Sequence, residues 1–326
     1  MHRFASLTTL ALAAFCTAQE TAWLTNFTEA KAKAKAEKKD LLVDFTGSDW
    51  CGWCIKLDEE VFSKDEFKKA APNQFVLVKL DYPRNKDLVT DEIRAQNKEL
   101  GEKYQIQGYP TILLLDCEGR VYGQTGYLDG GPEKYTTHLG DLKKKGDAFL
   151  AALALADTKK DLDRAKALDE ALGLIDAEMA STHYLSTMQE ILKLDADGKG
   201  GLKAKYETKV QDLADAKELD SMAGALQESI GPHMQAGEHD KAIAKLDEIV
   251  KAPKNKLHHQ LALFFKGMVI MEGKEDAKAA IAELEAAKAI NPESPIGKQI
   301  TMILPRIQEM AKQKEGGKEE KKEGGK

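Results

Sequence analysis

Two cysteines three positions apart, Cys51 and Cys54, end the run LVDFTGSDWCGWC. A strand-like apolar stretch leads into them and a helical pattern leads out, and that setting suits thiol–disulfide exchange. The attacking species in exchange is a thiolate, not a thiol. Cys51 opens a helix, where unpaired backbone N–H groups and the macrodipole favour an anion. Such positions lower a thiol pKa from about 8.5 to roughly 3.5–7.5. Cys54 lies one turn further in on the same face, placed to attack a mixed disulfide formed at Cys51. The expected roles are nucleophile for Cys51 and resolving thiol for Cys54. The same spacing also occurs in permanent disulfides and in half of a zinc site. Zinc asks for two more ligands; Cys117 stands alone and no histidine lies nearby in the sequence. No metal or cofactor is expected.

The elements that hold this pair follow from pattern and punctuation. Trp23 to Lys39 reads as a helix with apolar residues at three-to-four spacing. Leu41 to Thr46 reads as a buried strand, Gly47-Ser48-Asp49 as a turn, and the helix opened by Cys51 turns Leu57, Val61 and Phe62 inward. A short helix from Lys64 to Ala71 stops before Pro72, and Phe75 to Asp81 is a second central strand. Leu88 to Tyr104 reads as helix, Thr111 to Leu115 and Arg120 to Thr125 as a hairpin, and Gly130 to about Lys145 as a last helix. This order predicts an α/β unit whose central sheet finishes in an antiparallel hairpin.

LVDFTGSDWCGWC, the later GYPT and the hairpin segment DCEGRVYG together resemble a thioredoxin-fold protein over about Trp23 to Lys145. The likeness is nearest to secreted bacterial thioredoxin-like proteins with an extra residue in the loop before the first cysteine. It implies that Pro110 forms a cis-proline loop opposite the cysteines and that Tyr109 offers its backbone to an extended substrate. It also implies that Asp44 lies beneath the resolving cysteine and shuttles its proton, accompanied by Lys79. An acid inside an apolar strand already asks for a reason, and burial would raise its pKa into the range of an acid–base catalyst. A purely structural acid is the alternative. Six residues separate Asp44 from Cys51, one more than in thioredoxin, which places the addition in the Thr46–Asp49 loop. Trp53 stands where thioredoxin has proline and the isomerases have histidine, so no charge from that position stabilises the thiolate. Trp50, Gly52 and Trp53 are expected to form a substrate apron, and the direction of electron flow stays open. Cys117, six residues along the strand that begins at the proline, falls roughly 20 Å from the pair at about 3.3 Å per residue.

The remaining sequence sets the context. The chain has 326 residues and a formal charge of −6 from mixed acids and bases, which gives no electrostatic reason to expect nucleic-acid binding. Residues 1–18 read as a signal peptide: His2 and Arg3, an apolar run to Phe15, then small residues before Gln19. Export to the periplasm or beyond follows, without a transmembrane segment in the mature chain. Residues 19–146 make the thioredoxin-like domain. From 147 to 312 the pattern is alanine- and leucine-rich helices with breaks near Asp157, Met179–Thr182, Asp195–Gly201, Gly231-Pro232, Gly237, Pro253, Gly273 and Pro292. Two similar segments opening at Gly237 and Gly273 resemble a tetratricopeptide helix–turn–helix repeat. Asp195-Ala196-Asp197-Gly198 lacks the later ligands of a calcium loop and reads as an interhelical turn. Residues 313–326, rich in Lys, Glu and Gly, are expected to be disordered. The whole predicts an α/β thioredoxin fold followed by an all-α helical-repeat domain. Its expected function is exported thiol–disulfide exchange with protein substrates and an unknown redox partner, the helical domain docking proteins or self-associating. A non-catalytic binding scaffold and a metal carrier using Cys51 and Cys54 are the alternatives.

Overall fold

A computed structural model describes residues 23–323, with side chains through residue 313. The expected signal peptide, residues 1–18, lies outside the described residues. The chain divides into two compact units, the first reaching Val210 and the second beginning at Gln211.

The first unit is built on strands β1 (Asp40–Thr46), β2 (Phe75–Asp81), β3 (Thr111–Leu115) and β4 (Val121–Thr125), in the order β2-β1-β3-β4. β1 runs parallel to β2 and antiparallel to β3, and β3 pairs antiparallel with β4. Alternation along β1 sends Leu41, Val43 and Phe45 to one face. They pack there with Phe27 and Ala30 of helix α1 (Phe27–Glu37) and Leu100 of α4 (Asp91–Lys103). Leu42, Asp44 and Thr46 face the opposite side. The cysteine helix, α2 (Gly52–Leu57), continues without a break into a π-turn, Asp58–Phe62. Phe62 meets Phe67 of α3 (Asp65–Ala70) and Tyr135 of α5 (Gly131–Asp157), with ring centres 4.8 and 5.8 Å away.

Two helix starts differ from expectation because capping side chains fix them. Asn26 accepts the Glu29 N–H, so α1 begins at Phe27 and not at Trp23. The preceding segment instead pairs with β2: Leu24 N–H donates to Leu77 O and Lys79 N–H donates to Leu24 O. Thr90 caps α4 in the same way, leaving Leu88 in a short turn before it.

The pattern change expected near residue 147 falls inside α5, a continuous helix to Asp157. Its second half packs on α6 (Asp161–Leu172), α6 in turn packs on α8 (Leu185–Leu194), and α7 (Ala177–His183) meets β4, all within the first unit. Tyr184, between α7 and α8, donates its hydroxyl to Val121 O at 2.6 Å and sets its ring 5.1 Å from Phe149. The expected break at Met179–Thr182 is helix α7, started by the Asp176 cap. The Asp195 carboxylate accepts N–H groups from Gly200, Leu202 and Lys203, which makes it the brace of an interhelical turn.

The second unit holds the end of α9 (Lys203–Gln235) with α10 (His239–Lys251), α11 (Lys256–Lys274), α12 (Ala277–Ile290) and α13 (Pro295–Glu323). Gly231-Pro232 does not end a helix: α9 continues past Pro232 to Gln235. Gly273 likewise lies within α11, whose end is set by Glu275 in the left-handed conformation. Gly267 allows α11 and α12 to meet closely, since a Cβ there would lie 3.1 Å from Ala280 O and 2.9 Å from Leu284 Cγ. Buried Gln260 donates to Ala287 O and Asn291 O and accepts from Ser294 Oγ. The α13 backbone stays helical past residue 313, where disorder was expected; Lys and Glu are good helix formers.

Candidate active site

Cys51 and Cys54 form a disulfide, and Cys51 is the N-cap of α2. Its Sγ accepts the Cys54 N–H at 3.2 Å. In the reduced pair the same donor faces whatever charge develops on Cys51, so the helix start stabilises a thiolate. Both cysteines are largely covered, at 6% and 4% exposure. A Cβ on Gly52 would meet nothing within 4 Å, so the first residue of the helix, between the two cysteines, faces open space.

Asp44 and Lys79 are direct partners in the β1–β2 register. They share the sheet face covered by the cysteine helix, for Lys79 reaches Asp58 of the π-turn at 4.0 Å. Asp44 is 3% exposed, and its Oδ1 has no hydrogen-bond partner. Burial pushes its pKa up to about 7; the Lys79 charge works against that shift, while Asp58 and Asp81 add to it. A carboxyl poised there can take up and return a proton near neutrality.

An aromatic rim surrounds the pair. Trp50 is 37% exposed and Trp53 58%. The Trp50 indole donates to Tyr82 O at 2.8 Å and meets the Tyr109 ring edge-on at 5.6 Å. Gly47 makes room for it, since a Cβ there would come within 2.5 Å of the indole. The Tyr109–Pro110 peptide is cis, and Thr111 Oγ1 closes that loop on Gly108 O. Trp53 lies 5.1 Å from Tyr127. The structure thus joins Tyr109 to Trp50 beside the cysteines, with Pro110 following it across a cis peptide, and sets Asp44 and Lys79 on the sheet face beneath the cysteine helix.

Several participants escaped the sequence reading. Ser48 donates through both N–H and Oγ to the Asp81 carboxylate, and Asp49 accepts the N–H groups of Arg84 and Asn85. These contacts lash the loop before Cys51, extra residue included, to the loop after β2. Tyr127 and Lys56 join Trp53, and Lys56 Nζ lies 4.7 Å over the Tyr127 ring. The sequence signals were polar residues after the strand ends for Ser48 and Asp49, and helical i, i+3 spacing from Trp53 for Lys56; nothing local marked Tyr127.

A cysteine pair at a helix start beside this mixed sheet defines a thiol–disulfide oxidoreductase of thioredoxin type. The family described as thioredoxin-like matches residues 22–117. Disulfide bond reductase DsbH of Chlamydia pneumoniae is 34% identical over 112 residues, covering 34% of this chain and 67% of that protein. The chain belongs to the thioredoxin-like family. Thioredoxin-related protein DsbJ of the same organism is 37% identical over 162 residues, 48% of this chain and 46% of its own length. A solved structure of a DsbH oxidoreductase aligns over 44% of this chain and 95% of its own, at 29% identity and a TM-score of 0.37.

Proposed function

We propose that this chain is exported and reduces disulfides in protein substrates. Cys51 thiolate attacks one substrate sulfur, forming a mixed disulfide and releasing the other as a thiolate. Cys54 gives its proton to Asp44 and attacks Cys51 Sγ; the second substrate sulfur leaves, and the chain is left as the Cys51–Cys54 disulfide. Two electrons pass to the substrate, and a redox partner must return them to the chain. The observation that carries this reading is the Cys51–Cys54 disulfide at the start of α2, where Cys51 Sγ accepts the Cys54 N–H. The reductive direction is supported by the likeness to a disulfide bond reductase and by Trp53, which brings no charge to the thiolate. The second, helical unit serves to dock proteins or a second copy; exposed Met268, Met302 and Met310 supply adaptable apolar contacts.

The test is insulin reduction by the pre-reduced chain, together with trapping by Cys54→Ser. Turnover abolished in Cys51→Ser and a stalled adduct on Cys51 in Cys54→Ser are the expected results. Unchanged turnover in Cys51→Ser would overturn the reading.

A further inference from the structure

Trp50 and Trp53 bracket the disulfide, and each carries a cation on its ring. Arg84 Cζ lies 5.4 Å from the Trp50 ring centre and Lys56 Nζ 5.2 Å from that of Trp53. The two cations are not equivalent. Lys56 lies 3.9 Å from Glu60, and the Tyr127 hydroxyl beneath it donates between Glu60 and Asp129. The Trp53 side therefore holds two carboxylates against one ammonium. Arg84 makes no ion pair among the described residues. Asp49, which precedes Trp50, accepts the Arg84 backbone N–H on one oxygen and the Asn85 N–H on the other. That cap fixes the Arg84 backbone. The Asp49 carboxylate feels the Arg84 charge but forms no ion pair with it, so the Trp50 side sets one guanidinium against one carboxylate whose two oxygens are already occupied by backbone N–H groups.

We propose that Arg84 is a specificity-determining residue that binds a carboxylate of the substrate beside its disulfide, on the Trp50 side of the site. The proposal rests on the peptide-disulfide reduction argued above. A guanidinium is planar, weakly hydrated and matched in shape to a carboxylate. Stacking on Trp50 pre-orients it, and Trp50 is itself fixed by Tyr82 O and Tyr109. In an extended peptide, side chains two positions apart point the same way. An acid two residues from the reacting cysteine therefore faces the site together with that cysteine. On the Trp53 side the same acid meets Glu60 and Asp129 and is repelled, so the preference holds for one flank of the cysteine only.

The experiment uses the full chain, reduced and freed of reductant, in single-turnover reduction of disulfide peptides. Asp, Asn or Lys is placed two residues before or two residues after the cysteine. Each turnover converts one peptide disulfide to two thiols and the Cys51–Cys54 dithiol to a disulfide. On one flank, the Asp peptide should react about threefold to fivefold faster than the Asn peptide, the scale of an exposed ion pair. The Lys peptide should be slowest. About 0.5 M salt should compress the order, R84Q should flatten it, and R84E should reverse it. Equal rates for the three peptides in the wild type would overturn the assignment of Arg84 while leaving the reductase reading intact. An Asp preference that survives in R84E would do the same. Failure of the wild type to reduce any peptide would overturn the reductase reading and this assignment with it.

Discussion

Asp44 is the residue whose chemistry is most exposed to test. Its folded pKa of about 7 lies above the ordinary 3.8, so the folded chain holds a proton that the unfolded chain has lost between those values. Stability from this group falls as pH rises from about 4 to about 7 and is level above that. At 1.36 kcal/mol per unit the full difference is on the order of 4 kcal/mol. Asp44→Asn removes the ionisation and keeps the shape. Denaturant unfolding of the oxidised protein at about pH 4.5 and about pH 8 should show the wild type losing stability while the variant stays nearly level. The same substitution should slow resolution of the mixed disulfide and flatten its pH profile. A pair of glycines gives a second prediction at this scale. Gly47→Ala forces the Trp50 indole off its seat, so its fluorescence should shift and reduction should slow. Gly52→Ala, with nothing near its Cβ, should leave the free energy of unfolding within about 0.5 kcal/mol of wild type.

The elements around the site divide by how local their cause is. The strand before Cys51, the helix after it and the hairpin were legible because their periods and turn residues lie within a few positions of one another. The starts of α1 and α4 were misread because apolar spacing runs past Asn26 and Thr90, whose caps overrule it. Pro232 and Gly273 punctuate the sequence but not the helices that contain them. The rim was hidden for a different reason. Arg84 and Tyr127 reach the site only after the sheet brings the loops after β2 and β4 to one end, where they meet Trp50 and, with Lys56 of α2, Trp53, and no spacing in the chain announces the two loop residues. The attachment of α7 and α8 to the sheet was equally non-local; Met179 packs on the sheet core, His183 meets Tyr104, and one buried hydroxyl ties the segment to β4. Tyr184 is 7% exposed and donates to Val121 O. Tyr184→Phe removes the donor and leaves that carbonyl unpaired, which should cost about 1–3 kcal/mol. Chemical denaturation of the two proteins checks this, and hydrogen exchange should become faster in α7 and α8 than in β1.

At the scale of the whole molecule, the division at Val210 makes a prediction that the sequence pattern contradicts. Composition changes near residue 147, and a fragment of residues 23–146 is what that change would select. It cuts α5 in the middle and removes Phe149, Leu153 and Ala156, together with Tyr184 and α6, against which they are buried. Each large apolar side chain so lost takes with it roughly 1.5–3 kcal/mol of burial. Against a total stability of about 5–15 kcal/mol, losing Phe149, Leu153 and Tyr184 together consumes much of the margin. Residues 23–210 keep the sheet, the cysteine loop and α5 to α8 intact. That fragment should unfold in one cooperative transition and reduce insulin when supplied with a dithiol. Residues 23–146 should melt at least 10 °C lower on the scale of about 4–8 °C per kcal/mol for a domain of this size, or fail to fold. Thermal unfolding followed by circular dichroism on the two fragments decides the matter. Equal melting temperatures would mean that the sheet stands without α6 to α8, and that the boundary legible in the sequence is the thermodynamic one.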